Sequence, residues 1–206
     1  PPADPAVTVA NIYTLASAHH HVLNRVGYGT SPEGLRDVEQ AGGALAWLQK
    51  QLDPDAIDDG VCEDYLRRLP DQSEAIWEVN DDIRSGRRSG WRQLHWVNTG
   101  MIVRAAWSRR QLLTALEEFW GNHFNVTVPS DDIRESRAHY QWTIRRHALG
   151  NFEDLLFAAS THPAMLSYLN NRESDDEHPN ENQGRELLEL HTVGLAAGYT
   201  EDDVLN

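Results

Sequence analysis

The chain has 206 residues, a formal net charge of -14 and a pI near 5.0. This length is enough for a sizeable domain with its own core, and the acidic balance argues against a nucleic-acid partner or an anionic membrane surface. The single cysteine, Cys62, excludes an internal disulfide but leaves the cellular compartment open. Since no apolar run approaches roughly 20 residues, we also expect no membrane span.

The two ends of the chain frame a predicted helical domain. Residues 1–10 are rich in Pro and Ala, and we expect a flexible lead there. Near the other end, Thr200 precedes Asp203 by three residues, which is typical of a capping box that opens a helix. The chain stops about one turn later. We therefore interpret residues 11–206 as the N-terminal part of a longer helical domain, whose remainder beyond Asn206, or a separate protein, is the candidate partner.

Short predicted helices occupy the first half of the chain. The first, over residues 11–24, is interrupted by the triplet His19–His21. Because consecutive helical residues point to different faces, at most one or two of these imidazoles could share a site, and the role of the triplet stays open. Turns with Gly or Pro separate the further helices, which we expect at 33–40, 44–52, 63–69 and 74–82.

A long helical region is predicted from Trp91 to about Asn122. Projected at about 100° per residue, its last turns carry one apolar arc that includes a histidine. The members of this arc are Leu112, Leu116, Phe119, Trp120 and His123, whereas Gln111, Thr114, Glu117, Glu118 and Asn122 lie off it.

The following segment predicts a helix over 131–148 and a short apolar helix over 152–160. The pair His162-Pro163 is typical of a helix start, because proline fits the first helical position. The acidic stretch 171–180 is best interpreted as a solvated loop, although a loop carboxylate could also serve a binding site.

The densest pattern lies in 178–200, HPNENQGRELLELHTVGLAAGYT. Asn180 is a candidate N-cap, and we expect a helix from Glu181 to about Val193 that ends at Gly194. One arc of this helix is polar, and its spacing of four permits an acid–base–acid ladder through Glu181, Arg185 and Glu189. The opposite arc holds Gly184, Leu187, Leu188, Leu190 and His191.

Two histidines, His123 and His191, thus occupy apolar stripes of predicted helices. Neutral imidazoles are good ligands for a transition metal, so a metal site between the two helices is one interpretation. The alternative is a pair of core histidines hydrogen-bonded to carbonyl groups, with the acid–Arg ladder forming a solvated face.

The fold class that follows is all-α, an irregular multi-helix domain with little or no β-sheet. Alternating strand patterns are nearly absent. The sequence also lacks a phosphate-binding glycine loop, an HExxH helix and a GxSxG elbow, so none of these motifs assigns a reaction.

Several motifs, in a fixed order, resemble the bacterial family of unknown function DUF1800. An opening block, LNRVGYG at Leu23–Gly29, is similar to the N-terminal motif of that family. The later blocks are Glu118–Phe124 (EFWGNHF), His162–Asn170 (HPAMLSYLN), Pro179–Asn182 (PNEN), Arg185–Gly194 (RELLELHTVG) and Gly198–Val204 (GYTEDDV). The resemblance covers most of residues 20–206 and implies export, to the periplasm or the extracellular space. The His19–His21 triplet and the acidic insert 171–178 are not part of it.

The resemblance names no reaction, but its motif blocks contain the residues a site would need. We expect His123, His191 and His162 as metal ligands or proton carriers, Glu186 as a base or ligand, and Arg185 as a substrate clamp, with Glu181 and Glu189 beside them. No organic cofactor is indicated, and a transition metal is the candidate.

Three functions are consistent with these patterns. The first is an exported helical enzyme with a hydrolytic or oxidative His/Glu site between the helices around 109–124 and 180–193. The second is a non-catalytic scaffold or partner-binding protein in which the same polar residues lock buried helices together. The third is a binding protein for a carbohydrate or another polar ligand, which would use exposed tryptophans.

Overall fold

The structure, a computed structural model, describes residues 17–127, 133–175 and 180–205. The described residues form helices, turns and irregular segments, and they contain no strand, which confirms the all-α prediction. None of the described helices combines the length and the apolar character that crossing a membrane requires.

The helices are numbered in chain order. They are α1 (17–26), α2 (Pro32–Gln40), α3 (Ala44–Gln51), α4 (Gly60–Leu66), α5 (Ile76–Arg84), α6 (Gly90–Trp107), α7 (Gln111–His123), α8 (Arg137–His147), α9 (Phe152–Ser160), α10 (Pro163–Tyr168), α11 (Glu181–Glu186) and α12 (Glu201–Leu205). Short 3-10 turns occur at Pro54–Ala56, Asn171–Glu173 and Leu195–Ala197, and a π-helical turn, Leu187–His191, continues α11.

The described chain forms two compact units. The first comprises residues 17–66 and Ile102–Ala115. Its core is a small apolar cluster of α1, α2 and α3, made of Val22, Leu23, Val38 and Trp47. The predicted lead at 1–10 and the start of the predicted first helix, 11–16, lie outside the described residues.

The second unit comprises Arg67–Met101 and residues from Leu116 onward. Its larger core joins the end of α7 to α8, α9 and α10. The buried members are Phe124, Val126, Ile133, Tyr140, Ile144, Leu155, Ala159, Ala164, Met165 and Leu169. All of the candidate site residues belong to this unit.

The helical region predicted from Trp91 to about Asn122 is divided into two helices, because α6 ends at Trp107 and α7 begins at Gln111. The cause is the buried carboxylate of Asp59. It accepts hydrogen bonds from the Ser108 hydroxyl at 2.8 Å and from the Arg109 amide at 2.6 Å. A partner about fifty residues away in sequence therefore satisfies backbone and side-chain donors at the break.

Local capping predictions are confirmed. Asn180 accepts from the Asn182 amide at 2.9 Å, and Thr200 and Asp203 form the reciprocal pair of a capping box. His162 is the N-cap of α10, with Pro163 as the first helical residue. The helix predicted over 131–148 is shorter, Arg137–His147, and residues 131 and 132 lie outside the described residues.

Candidate functional site

The buried face of α7 agrees with the predicted apolar arc at Leu112, which is buried, but it also includes a carboxylate that the prediction places off the arc. Glu117 is only 2% exposed, whereas Phe119, which was placed on the buried arc, is 57% exposed. The Glu117 carboxylate accepts from Arg145 at 2.5 Å and from the Gln141 amide at 2.9 Å. Charge pairing and hydrogen bonding to α8 thus decide which face of α7 is buried.

This buried network extends along α8. Arg137, which is also buried, donates to Gln141 at 3.0 Å, and burial lowers the pKa of its guanidinium. Arg137, Gln141 and Arg145 are four residues apart in sequence, so they lie on one face of the helix. That spacing is the sequence signal that could have revealed the network. Its members are engaged with one another, which gives them a structural role.

The helix that carries the predicted site changes its hydrogen-bond pattern in the middle. The α-helical part ends at Glu186, and Leu187–His191 form a π-helical turn. In an α-helix, residues five apart point about 140° away from each other, whereas the wider π turn, with its i→i+5 bonds, brings them toward one face. The π turn therefore brings His191 toward the face of Glu186.

The π turn also corrects the predicted apolar arc. Leu190, which the 100° projection placed on the buried arc, is 60% exposed, while His191 is 8% exposed. The turn ends where the amides of Val193 and Gly194 both donate to the Leu188 carbonyl, at 3.1 and 2.9 Å.

The structure brings His123 and His191 together. Their ring centroids are 5.8 Å apart, and Nε2 of His123 lies 3.0 Å from the backbone oxygen of His191. Because a carbonyl oxygen only accepts, Nε2 of His123 carries the proton, which leaves Nδ1 as the basic nitrogen of the neutral ring. Trp120 and Phe124 pack edge-on against the His123 ring and hold its orientation.

His191 is a buried, neutral base. Burial lowers its pKa, and the nearby His123 lowers it further, while hydrogen bonding to the backbone of His123 acts in the opposite direction. Its Nδ1 atom is buried, and no described residue hydrogen-bonds to it. A buried imidazole nitrogen without a partner is rare in folded proteins, which makes this position a candidate functional group.

A cavity of about 690 Å³ lies against these two imidazoles. Its walls come from the end of α7, from α10 and from α11 with its π turn. The lining residues are Asn122, His123, Asn125, Met165, Tyr168, Leu169, Asn182, Glu186, Leu190 and His191. This volume falls within the range of about 300–1,000 Å³ that is typical of small-molecule sites.

Two polar side chains in this cavity have no partner among the described residues. Neither the Glu186 carboxylate nor the Asn122 amide forms a hydrogen bond or an ion pair with any residue that the structure describes. Other polar groups of the lining are partly engaged. Tyr168 hydrogen-bonds Thr127 at 2.9 Å, and the Asn182 amide donates to the Leu169 carbonyl at 3.4 Å.

The other predicted acid–base residues lie outside this cavity. Arg185 pairs with Glu181 at 3.4 Å and with Glu201 of α12 at 2.7 Å, so the predicted ladder is only half formed. Glu189 instead accepts a hydrogen bond from the Tyr199 hydroxyl, which connects the π turn to the segment before α12. Glu181 lines a second, smaller cavity of about 380 Å³.

His162 lies apart from His123 and His191 and pairs with His139 of α8. The amide of Ala164 donates to Nδ1 of His162 at 3.1 Å, so Nε2 is the protonated nitrogen of the neutral ring. That Nε2 lies 3.0 Å from Nδ1 of His139 and donates to it. Burial lowers the pKa of His162 to about 3, and His139 and Arg137 contribute in the same direction.

The side chains brought together do not by themselves form a metal centre. In the ranges 17–127, 133–175 and 180–205, no group of three or more His, Cys, Asp or Glu residues is arranged to hold an ion. His123 and His191 could supply two ligands, whereas His162 is engaged with His139. A metal role for these three histidines therefore stays a prediction.

Comparison with known proteins places the chain in a family. No curated protein and no solved structure gives a significant match. The profile of the family described as "Protein of unknown function (DUF1800)" matches residues 21–206. The match includes the cavity lining, α7, α10, α11 and the π turn. The chain therefore belongs to the DUF1800 family.

Proposed function

We propose that this protein is a hydrolytic enzyme whose reaction takes place in the 690 Å³ cavity, with Glu186 as the general base. The observation that carries the proposal is the state of this carboxylate. Glu186 lines the cavity with no ion pair or hydrogen bond to any described residue, whereas Glu181 and Glu189 are engaged with Arg185 and Tyr199. An uncommitted carboxylate is available to accept a proton.

The chemistry that fits best is hydrolysis of an ester. Glu186 takes a proton from a water molecule, whose oxygen attacks the ester carbonyl carbon. The carbonyl oxygen gains negative charge and accepts from the Asn122 amide. When the bond to the leaving oxygen breaks, Glu186 returns its proton to that oxygen, so the products are a carboxylic acid and an alcohol.

The buried imidazole of His191 supports this role of Glu186. Because His191 is held uncharged by burial, it forms no ion pair that would neutralise the carboxylate. His123, fixed by its bond to the His191 carbonyl, shapes the wall of the cavity. An oxidative reaction has no comparable support from the side chains that line the cavity.

The scaffold interpretation has support elsewhere in the unit. The network of Glu117, Gln141, Arg145 and Arg137 has the paired, buried character that a structural role predicts. The cavity differs, since its carboxylate and one of its amides are unpaired within the described part of the chain. No tryptophan is among the described residues that line it, and the exposed tryptophans that the third interpretation would use, Trp77, Trp91 and Trp107, are not part of this cavity.

A panel of chromogenic esters, amides and glycosides tests the proposal on the purified protein. We expect ester hydrolysis, and a fall in kcat of about a hundredfold or more in Glu186→Gln, because general-base catalysis contributes about that much. Glu153→Gln, the same change at an exposed position of α9, is the matched control and should retain activity. Undiminished hydrolysis by Glu186→Gln, or no hydrolysis of any ester, would refute the proposal.

We also propose that the protein acts outside the bacterial cytoplasm. The support is the family membership, because the resemblance drawn from the sequence motifs implies export. Fractionation of cells that produce the protein from its own gene tests this, with periplasmic or extracellular recovery expected. Recovery in the cytoplasmic fraction alone would contradict it.

A further inference from the structure

We infer that the cavity takes a polyhydroxylated ligand without an anionic group, such as a mono- or disaccharide unit carrying the ester. The ester group of this ligand rests on the proposed function. The binding of a polyhydroxylated ligand is inferred independently, from the side chains that line the cavity.

The charge of the cavity lining disfavours an anionic ligand. Among the described residues that line the cavity there is no Lys or Arg, and Glu186 supplies a negative charge. The chain as a whole carries a formal net charge of -14, so its field repels anions at long range. A carboxylated or phosphorylated ligand would enter this site without a cationic partner, at a large cost in desolvation.

The hydrogen-bonding capacity of the lining favours a polyhydroxylated ligand. Three asparagines, Asn122, Asn125 and Asn182, lie in the lining, and each amide offers donors and an acceptor. The amide of Asn122 is wholly uncommitted within the described residues. Asn125 donates to Thr127 at 3.3 Å and Asn182 donates to the Leu169 carbonyl at 3.4 Å, which leaves the amide oxygens as acceptors. Paired donors and acceptors match adjacent hydroxyl groups, which both donate and accept.

The apolar part of the wall completes the match. Met165 and Leu169, both buried, contribute to the cavity wall, together with the exposed Leu190 and the ring of Tyr168. A sugar ring has an apolar face of C–H groups and a rim of hydroxyl groups. The lining likewise combines apolar side chains with amides, and sites of this kind fix orientation with a few polar groups.

The test compares neutral and charged forms of the same sugar ring. The probes are the methyl glycosides of glucose, galactose and mannose, each with its uronic-acid and amino-sugar counterpart, and binding to the wild-type protein is measured by calorimetry and ligand-observed NMR. We expect at least one neutral glycoside to bind at least about tenfold more tightly than its uronic-acid counterpart, and its amino-sugar counterpart to bind at least as tightly as the neutral form, because Glu186 offers a partner to the ammonium group. Tighter binding of a uronic acid than of its neutral counterpart, or no binding of any neutral glycoside, would overturn the inference.

A pair of isosteric variants assigns the binding to the cavity. Asn122→Asp replaces an amide donor with a carboxylate inside the cavity, and we expect it to weaken the binding of the neutral glycoside at least about fivefold. Asn98→Asp makes the same change at an exposed position of α6 outside the cavity and should bind like wild type. Equal affinity in the two variants would overturn the assignment, and circular dichroism checks that both are folded.

Glu186→Gln separates this inference from the proposed function. We expect it to lose hydrolysis while still binding the neutral glycoside. Selective binding of neutral glycosides without hydrolysis of any ester would refute the proposed function and leave the inference intact. Hydrolysis that depends on Glu186 but is confined to anionic or wholly apolar esters would refute the inference and leave the proposed function intact.

Discussion

The buried imidazole of His162 predicts a loss of stability in the weakly acidic range. This residue is 6% exposed, and its pKa is lowered from 6.5 to about 3, mainly by burial. As the pH falls, the unfolded chain takes up a proton near pH 6.5, whereas the folded protein does so only near pH 3. The stabilisation is therefore complete above about pH 6.5 and is lost progressively as the pH falls toward 3.

The size of the effect follows from the shift. A change from 6.5 to about 3 corresponds to about 5 kcal/mol in the free energy of unfolding, at about 1.4 kcal/mol per pKa unit. Between pH 6.5 and about pH 3, this one group lowers the free energy of unfolding by up to about 1.4 kcal/mol for each unit by which the pH falls. Burial lowers the pKa of His139 and His191 as well, so both act in the same direction.

Urea unfolding followed by tryptophan fluorescence, at several pH values between about 7 and 4.5, measures this slope. His162→Asn removes the titrating ring and keeps an N-cap acceptor for the Ala164 amide. We expect the variant to lose about 1 kcal/mol at neutral pH, since the bond to His139 is gone. We expect its stability to depend on pH less steeply than that of wild type, by about 1 kcal/mol per pH unit.

The control is His21→Asn, the same replacement at an exposed position of α1. It should keep the wild-type pH dependence. If His162→Asn instead shows the same slope as wild type, the buried neutral imidazole is not the source of acid sensitivity, and the reasoning is refuted.

Three further substitutions test the packing of the second unit by the same unfolding assay. Glu117→Gln leaves the Arg145 guanidinium without its carboxylate, and we expect a loss of about 3–5 kcal/mol. Gly184→Ala places a Cβ against the Val204 carbonyl oxygen, and displacement of α12 should cost about 1–3 kcal/mol. Tyr140→Phe removes the buried bond from the hydroxyl to the Phe124 carbonyl, at a cost of about 1–2 kcal/mol.

Each of these substitutions has a matched control on the same assay. Glu118→Gln changes an exposed carboxylate of α7 and should cost less than about 1 kcal/mol. In Gly121→Ala the added Cβ meets Gln141 at 3.7 Å, an ordinary contact, so the helix should be unchanged or slightly stabilised. Tyr65→Phe alters a ring that is 37% exposed and should have a small effect. Equal losses in a substitution and its control would contradict the assigned contact.

The features that the sequence predicted well depend on neighbours in the chain. The cap at Asn180, the capping box at Thr200 and Asp203, and the start of α10 at His162 each involve residues within three positions. The all-α class follows from helical periodicity over many such segments. Local hydrogen bonds and spacing therefore suffice for these features.

The features that the sequence predicted wrongly depend on distant partners or on a change of helical geometry. The break between α6 and α7 needs Asp59, and the burial of Glu117 needs Arg145 and Gln141 of another helix. The residues that neighbour Glu117 in the sequence do not indicate those partners. The exposure of Leu190 follows from the π turn, which a fixed step of about 100° cannot represent.

The candidate site was predicted in part. The pairing of His123 with His191 and the nearby Glu186 were inferred from apolar stripes and from motif blocks, and the structure places all three on one cavity. Their predicted roles, like those of Arg185 and Glu189, remain predictions. The amides of Asn122 and Asn182 were missed, because an exposed asparagine has no pattern of its own in a sequence.

The His162–His139 pair has a consequence for proton movement. The Ala164 amide can only donate, so it fixes the direction of both hydrogen bonds. Nδ1 accepts in each ring, and the last nitrogen of the pair, Nε2 of His139, is a donor and not an acceptor. Because Nδ1 of His139 accepts from His162, this Nε2 atom already carries the proton of its neutral ring and cannot take up another, and the Ala164 amide at the other end cannot accept one. Two adjacent imidazoles resemble a proton-transfer chain. Here a backbone amide occupies one end of the pair, so the pair connects α8 to α10 and does not transfer protons.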